Sequence, residues 1–359
     1  MQYKIQKLDI NKYKIWDDFC NNCNQVWFWH TTDWLEYILA RTEFSPKNLS
    51  FFVCEGDVLE AIVPLVSEKI NNYREITYEG GPVPAPAIKD NLSDHGKSEL
   101  IKLIFKTIDK LANENKTSRS SFSYSPLTKD ALQKKNNPNL TDMGFNNISL
   151  ATRLIDLKKD EQTLWKELRR NHRRNIEKGR QFQVNIYDSG KITEQIFNNY
   201  TKLHAKAAGR QTRPQKTFQL MLEWIKAGLA FLAAVEHQGA QIGFEYYSLY
   251  KNQVYGFSAA NDPDYESRYP IRQILEWQSI LYMKTRRFDF YEIGLQQNEI
   301  LPYDFPDQKQ LNISHFKKGF GGFELPFPIF EKYYSQEYSS KMKAEQKSKF
   351  DQREKKQYG

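Results

Sequence analysis

The sequence repeats its own order of elements at long range, and this limits the folds open to it more than any other feature. In the first half, residues 49–54 read as a strand, Glu55-Gly56-Asp57 as a turn, and residues 59–66 as a second strand. In the second half, the matching strands are 229–235 and 241–249, joined across Glu236-His237-Gln238-Gly239. Glycine-containing turns between apolar runs are the signature of hairpins. A further strand follows each hairpin, at 75–79 and at 253–259, and then an amphipathic helix. In the first helix, 97–113, Leu100, Ile104, Ile108 and Leu111 share one face; in the second, 270–284, Ile271, Ile274, Leu275 and Leu281 do, with Pro270 suited to the first turn. Each helix leads into another strand, at 120–124 and at 288–293, and helical segments precede each hairpin, at 32–41 and at 192–208 with 217–227. The pattern predicts two copies of one α/β (α+β) unit, with mixed, mostly antiparallel sheets flanked by helices. The units are expected at 1–150 and 151–330, with the boundary near 147–152 after the Asn/Pro/Thr-rich stretch 135–142, and 331–359 as a basic C-terminal extension or tail.

The 359 residues carry a net charge of +8, and its distribution matters more than its size. Residues 166–180 hold a net +5 and residues 341–359 a net +4, so the remainder of the chain is close to neutral. A uniformly basic nucleic-acid surface is excluded, and without a helix-turn-helix or zinc-finger pattern no DNA partner is expected. The tail, poor in apolar residues, is expected to fray. Three cysteines cannot staple a chain of this length, and Cys20 and Cys23 form a lone CxxC with no second pair, so no metal is expected. No apolar run reaches the ~18 residues of a membrane span, and the N-terminal residues lack the apolar core of a signal peptide. The expected compartment is the cytoplasm, with contact at a membrane surface open.

Two segments carry chemistry. Residues 165–180 read as one helix on which Arg169, Arg170, Arg173 and Arg174 cover an arc of roughly 140°. Four guanidiniums on one face repel unless carboxylates or phosphates lie opposite, so the face is a solvated one, a salt-bridged domain brace, or a site for phosphate or pyrophosphate. The second segment, His315-Phe316-Lys317-Lys318-Gly319-Phe320-Gly321-Gly322, allows close backbone approach at its glycines, while its aromatics can anchor it and hold one lysine at a cleft. No Gly-x-Ser-x-Gly, P-loop or His-Glu-x-x-His motif occurs, which removes the commonest hydrolase, nucleotidase and metalloprotease chemistries.

The order of elements is that of the GNAT acyltransferases, in which two central strands splay and the donor carbonyl lies in the gap. Phe316 to Gly322, following Tyr291-Glu292-Ile293-Gly294, resembles the closing motif of the FemA/FemB/FemX-type transferases. Trp165 with residues 169–179 resembles the segment that opens their second domain. Tyr78-Glu79-Gly80-Gly81-Pro82 after residues 62–65, and Trp34, resemble their first-domain pattern. The resemblance, over roughly 25–330, implies two tandem GNAT-like domains and transfer of an acyl or aminoacyl group to an amine of a peptidoglycan or other cell-envelope precursor. It implies acyl-CoA or aminoacyl-tRNA as donor and a nucleotide-linked precursor as acceptor, with Lys317 in the active cleft. The coiled-coil arm of some members is absent between 181 and 260. The stretch 261–270 lacks the glycines that hold the pyrophosphate of coenzyme A at a helix N-terminus.

For amide formation we expect Lys317, Glu292 and Tyr255 as catalytic residues, and Arg170, Arg173, Arg174, Lys318, Ser258 and Glu245 as substrate-binding residues. A pair of GNAT-like domains that binds a ligand without chemistry, and a nucleic-acid-binding protein using 166–180 and the tail, are the competing readings.

Overall fold

The computed structural model describes residues 3–134, 139–298, 301 and 303–358, with side chains to residue 353. Residues 135–138 of the stretch 135–142, and the last residue of the tail, lie outside the described residues. The chain divides into two compact units, one of residues 1–151, 297–308 and 326–359, the other of 152–296 and 309–325.

In the first unit the hairpin forms at Phe51–Glu55 and Val58–Val63, and Pro64 separates it from the next strand, Val66–Ile70. The order Tyr3–Lys7, Phe51–Glu55, Val58–Val63, Ala87–Ile88 makes one sheet. A second sheet centres on Thr117–Ser123, which runs parallel to Tyr73–Ile76. That parallel pairing ends at Ile76 with Ser120, yet the gap beyond it is filled. The chain turns tightly through Tyr78 to Gly81, with Glu79 and Gly80 at positive φ, and returns Val83–Pro84 to pair with Phe122 and Ser123. The Tyr-Glu-Gly-Gly-Pro motif is therefore the turn that lets the chain plug its own sheet. Cys20 and Cys23 are buried thiols directed at the carbonyls of His30 and Ile88.

The C-terminal segment departs from the expected trailing tail. Ile329–Tyr333 pairs with Thr117–Ser123, and the helix Gln336–Tyr358 follows it. Tyr338 donates to Glu75 at 2.5 Å, and Glu75 accepts from Arg119 at 2.7 Å, which anchors the helix at its start. Composition signalled charge, but the apolar residues Ile329 and Phe330 that start the strand lie just before the charged run.

In the second unit the sheet order is Gln183–Tyr187, Ala230–His237, Ala240–Tyr250, Gln253–Asn261, Phe290–Gln296, Leu150–Asp156, Phe323–Phe327. Strand residues alternate between faces. Phe231, Ala233, Val235, Tyr247 and Tyr291 enter one core with Ile271, Ile274, Leu275 and Ile280 of the helix Ile271–Thr285. Tyr246 instead donates to the Met221 carbonyl of Gln215–Lys226, and Phe244 packs on Tyr200 of Glu194–Ala208. Helices thus cover both faces of this sheet.

The helix expected over 165–180 is two helices, Glu161–Glu167 and Arg170–Gly179. The break falls where Leu168 turns inward and the Arg169 amide donates to the Gly319 carbonyl at 2.8 Å, outside either helix. The second helix packs on Ile271–Thr285 at Gly179, where a Cβ would stand 2.7 Å from the Ile274 Cβ.

Candidate active site

In the second unit, Gln253–Asn261 and Phe290–Gln296 run parallel through Gln253 with Phe290, Val254 with Tyr291 and Tyr255 with Glu292, and pair no further. Against its other neighbour, Gln253–Asn261 shifts register: Tyr246 faces Ser258 while Tyr247 faces Gly256, so Phe257 is an extra residue. A bulge bends the strand that carries it, and here it does so just past Tyr255. The two strands part at that point, leaving an open slot that no other strand enters among the described residues. The corresponding gap in the first unit is the one closed by Val83–Pro84.

Lys317 stands at the parting. It lies in the last turn of the helix Gln308–Lys318, and its ammonium lies against Gly294, two residues beyond Glu292: a Cβ on Gly294 would be 2.6 Å from Lys317 Nζ. The segment that follows is set by close approaches. A Cβ on Gly319 would stand 2.3 Å from His172, and one on Gly322 2.2 Å from the Leu154 carbonyl oxygen. Gly321 sits at φ +79°, with Arg153 donating to its carbonyl at 2.8 Å. His172 Nε2 meets the Phe316 carbonyl at 3.0 Å, and its ring packs on Phe316 and Phe320. The glycines and aromatics of the motif thus lock the helix end that presents Lys317.

Beneath the parting lies a buried charge cluster. Arg272 pairs with Glu245 at 2.5 Å and approaches Glu276 at 3.7 Å. Tyr291 donates to Glu276 at 2.5 Å, and Thr152 to Glu292 at 2.6 Å. Three carboxylates face two cations, Arg272 and Lys317, so one carboxyl is driven to keep its proton. Burial, with Glu245 alongside, pushes Glu276 well above the usual range. Burial also raises Glu292, to about 7, held back by the Thr152 hydrogen bond and the Lys317 charge. Lys317 is lowered by burial and by Arg272, against the pull of Glu292, Glu276 and Glu245. Tyr255 is raised by burial and by Glu292, so its phenol keeps its proton.

The structure brings Lys317, Glu292, Tyr255 and Glu245 to the parting and its underside. Glu245 is buried against Arg272, where it cannot reach a substrate directly. Ser258, beyond the bulge, accepts from Tyr200 at 2.8 Å. The four arginines do not form one face. Arg173 donates to the carbonyls of Lys166 at 2.9 Å and Trp165 at 3.4 Å, closing the end of the preceding helix. Arg169 contacts His315, whereas Arg170, Arg174 and Lys318 are exposed, Arg174 bonding Asn171 at 2.8 Å. Arg272, Glu276, Tyr291 and Thr152 were missed by sequence reasoning. Sequence offered one mark for two of them, the four-residue spacing of Arg272 and Glu276, which reads equally as a solvated ion pair.

The approach to the helix Ile271–Thr285 does not fit a coenzyme A pyrophosphate. It has no glycine, and Asp262, Asp264 and Glu266 gather there, with Lys206 engaging Asp262 at 2.6 Å and Asp264 at 2.7 Å. No helix among the described residues is long and apolar enough to cross a membrane.

Residues 165–303 match the model of a family described as an acetyltransferase (GNAT) domain. The structure resembles FemX at 12% identity and TM-score 0.64, covering 94% of this chain and 99% of that one. It also resembles L-PGS from Bacillus licheniformis (10%, TM-score 0.58, 94% and 96% covered). A third likeness is to a tandem GNAT protein of the clavulanic acid biosynthesis pathway (10%, TM-score 0.52, 93% and 99% covered). No protein of curated function matched the sequence. The chain has the fold of these structures, one of them a tandem GNAT protein, as the resemblance to the FemA/FemB/FemX-type proteins implied.

Proposed function

We propose that the protein is an N-acyl or aminoacyl transferase that forms an amide on an amino group of a cell-envelope precursor, a peptidoglycan peptide or an amino sugar, in the cytoplasm. The observation that carries this reading is Lys317 Nζ lying against Gly294, beside Glu292, where the two parallel strands part. An open slot between strands exposes backbone groups that can hold a donor carbonyl, and the ammonium is aimed where an oxyanion would develop. The acceptor amine attacks the donor carbonyl, forming a C–N bond as the donor's C–O or C–S bond breaks. Its proton passes to Glu292, and from there to the departing oxygen or sulfur. A carboxyl near 7 is matched to that task at neutral pH. Tyr255 keeps its proton and orients the acceptor. Exposed Arg170, Arg174 and Lys318 hold the phosphates of a nucleotide-linked acceptor. The donor is an activated ester or thioester, aminoacyl-tRNA or acyl-CoA, and the acidic, glycine-free approach favours the ester. The chemistry belongs to the second unit, since the equivalent gap of the first is filled by Val83–Pro84. Incubation with each donor class and candidate amino sugars or peptides, read by the mass of the acceptor, tests this.

A further inference from the structure

In the first unit the chain leaves the plug Val83–Pro84 and runs on through Pro86 and Ile88 to the helix Asp94–Glu114. A cavity of about 230 Å³ opens between this segment, that helix and the end of the strand Thr117–Ser123. Its volume lies below the roughly 300–1,000 Å³ of most small-molecule sites, so it admits only a small ligand. Asp94, Lys97, Ile101, Ile104 and Phe105 line it from one side of the helix, at three- and four-residue spacing. Ile101, Ile104 and Phe105 make an apolar wall, and Asp94, with Asp130, and Lys97 set charges of both signs beside it. Neither Asp94 nor Lys97 makes an ion pair among the described residues, although they stand three residues apart on one helix. Tyr124 also lines the cavity. Its amide donates to the Pro328 carbonyl at 3.1 Å and its ring packs on Phe330. Protein encloses the phenol and raises it, so it keeps its proton, yet the hydroxyl has no protein partner among the described residues. An enclosed hydroxyl without a protein partner is a donor left for a bound molecule.

We propose that this cavity binds a free amino acid with an apolar side chain. The side chain lies on the wall of Ile101, Ile104 and Phe105. The ammonium meets Asp94 and Asp130, and the carboxylate accepts from Lys97 and the Tyr124 hydroxyl. Two carboxylates beside one ammonium repel a phosphate, and a wholly apolar ligand would desolvate the charges without pairing them. A zwitterion answers both signs at once. This binding goes beyond the transferase reading and needs no transfer activity.

Saturation-transfer NMR titration of the full chain with L-leucine tests it. The comparison probes are isoamylamine, which lacks the carboxylate, 4-methylpentanoate, which lacks the ammonium, and glycine, which lacks the apolar group. Leucine should bind about tenfold more tightly than any of the three. Lys97→Met should weaken leucine by about tenfold and leave isoamylamine unchanged. Asp94→Asn should weaken leucine and leave 4-methylpentanoate unchanged, and Tyr124→Phe should weaken leucine and 4-methylpentanoate together. Ile101→Trp, which fills the cavity, should abolish leucine binding. If circular dichroism shows that this variant does not fold, the charge variants at 94 and 97 decide the matter. Lys317→Ala, at the slot of the second unit, should leave leucine binding unchanged. No binding of leucine to the parent protein, isoamylamine binding as tightly as leucine, leucine binding unchanged in both charge variants, or leucine binding lost in Lys317→Ala would each overturn the proposal.

Discussion

Gly294 lies against the ammonium of Lys317, so close that a Cβ at residue 294 would stand 2.6 Å from Nζ. Its φ of +111° is also one that side chains rarely adopt. Gly294→Ala should push the lysine from the slot without touching the bound substrates. A misplacement of about 1 Å can cost on the order of 100-fold in rate. We expect kcat to fall by tens of fold with KM little changed, in steady-state kinetics; a normal kcat would show that the lysine's position is immaterial.

The pH profile follows from Glu292. As a base with a value of about 7, it makes kcat/KM rise with pH through neutrality. The Thr152 hydrogen bond favours its carboxylate form, so Thr152→Val should move that rise to higher pH. The same group affects stability with a definite sign. Its folded value lies above the ordinary one, so ionisation opposes folding, and stability falls as pH rises from the ordinary carboxylate value towards 7 and then levels. Urea unfolding at several pH values should show this slope in the parent and a shallower one in Glu292→Gln, where the raised Glu276 and Glu68 remain.

Gly319 faces the His172 ring, with three imaginary Cβ contacts between 2.3 and 2.8 Å. Gly319→Ala should destabilise by about 1–3 kcal/mol through overpacking. The cost should shrink in a His172→Ala background, as a double-mutant cycle of chemical denaturation would report. Additive effects would mean the two residues do not meet.

The arginines should separate by role. Arg173 closes a helix end, so Arg173→Ala should lower stability by about 1 kcal/mol and leave the salt dependence of acceptor binding unchanged. Arg170→Ala and Arg174→Ala should weaken binding of a phosphorylated acceptor and flatten its salt dependence. Calorimetry across a salt series checks both halves.

Much of the fold was legible because it rests on period. The hairpins at 51–63 and 230–250 are apolar runs joined by glycine turns, and the helices Asp94–Glu114 and Ile271–Thr285 carry 3.6-residue apolar spacing. The strand Ile329–Tyr333 escaped because its partner, Thr117–Ser123, is some two hundred residues distant, and pairing over that span leaves no local mark. The break at Leu168 escaped for the same reason, since it is made by the Gly319 carbonyl. In the site, Lys317 was legible through its glycines and aromatics. Arg272 and Glu276 look like surface charges until Glu245 and Tyr291 are folded over them. The duplication was legible, but the difference between the two gaps was not, because it depends on where Val83–Pro84 turns back.

The central claim is that amide formation takes place at the parting of Gln253–Asn261 and Phe290–Gln296 beside Lys317. The direct measurement is the mass of an amino-sugar or peptide acceptor after incubation with the protein and either an aminoacyl-tRNA or an acyl-CoA. The account predicts an acceptor heavier by the acyl group with the parent protein, and no gain with a folded Lys317→Ala variant. An unchanged gain with that variant, or no gain with any donor and the parent protein, would contradict it.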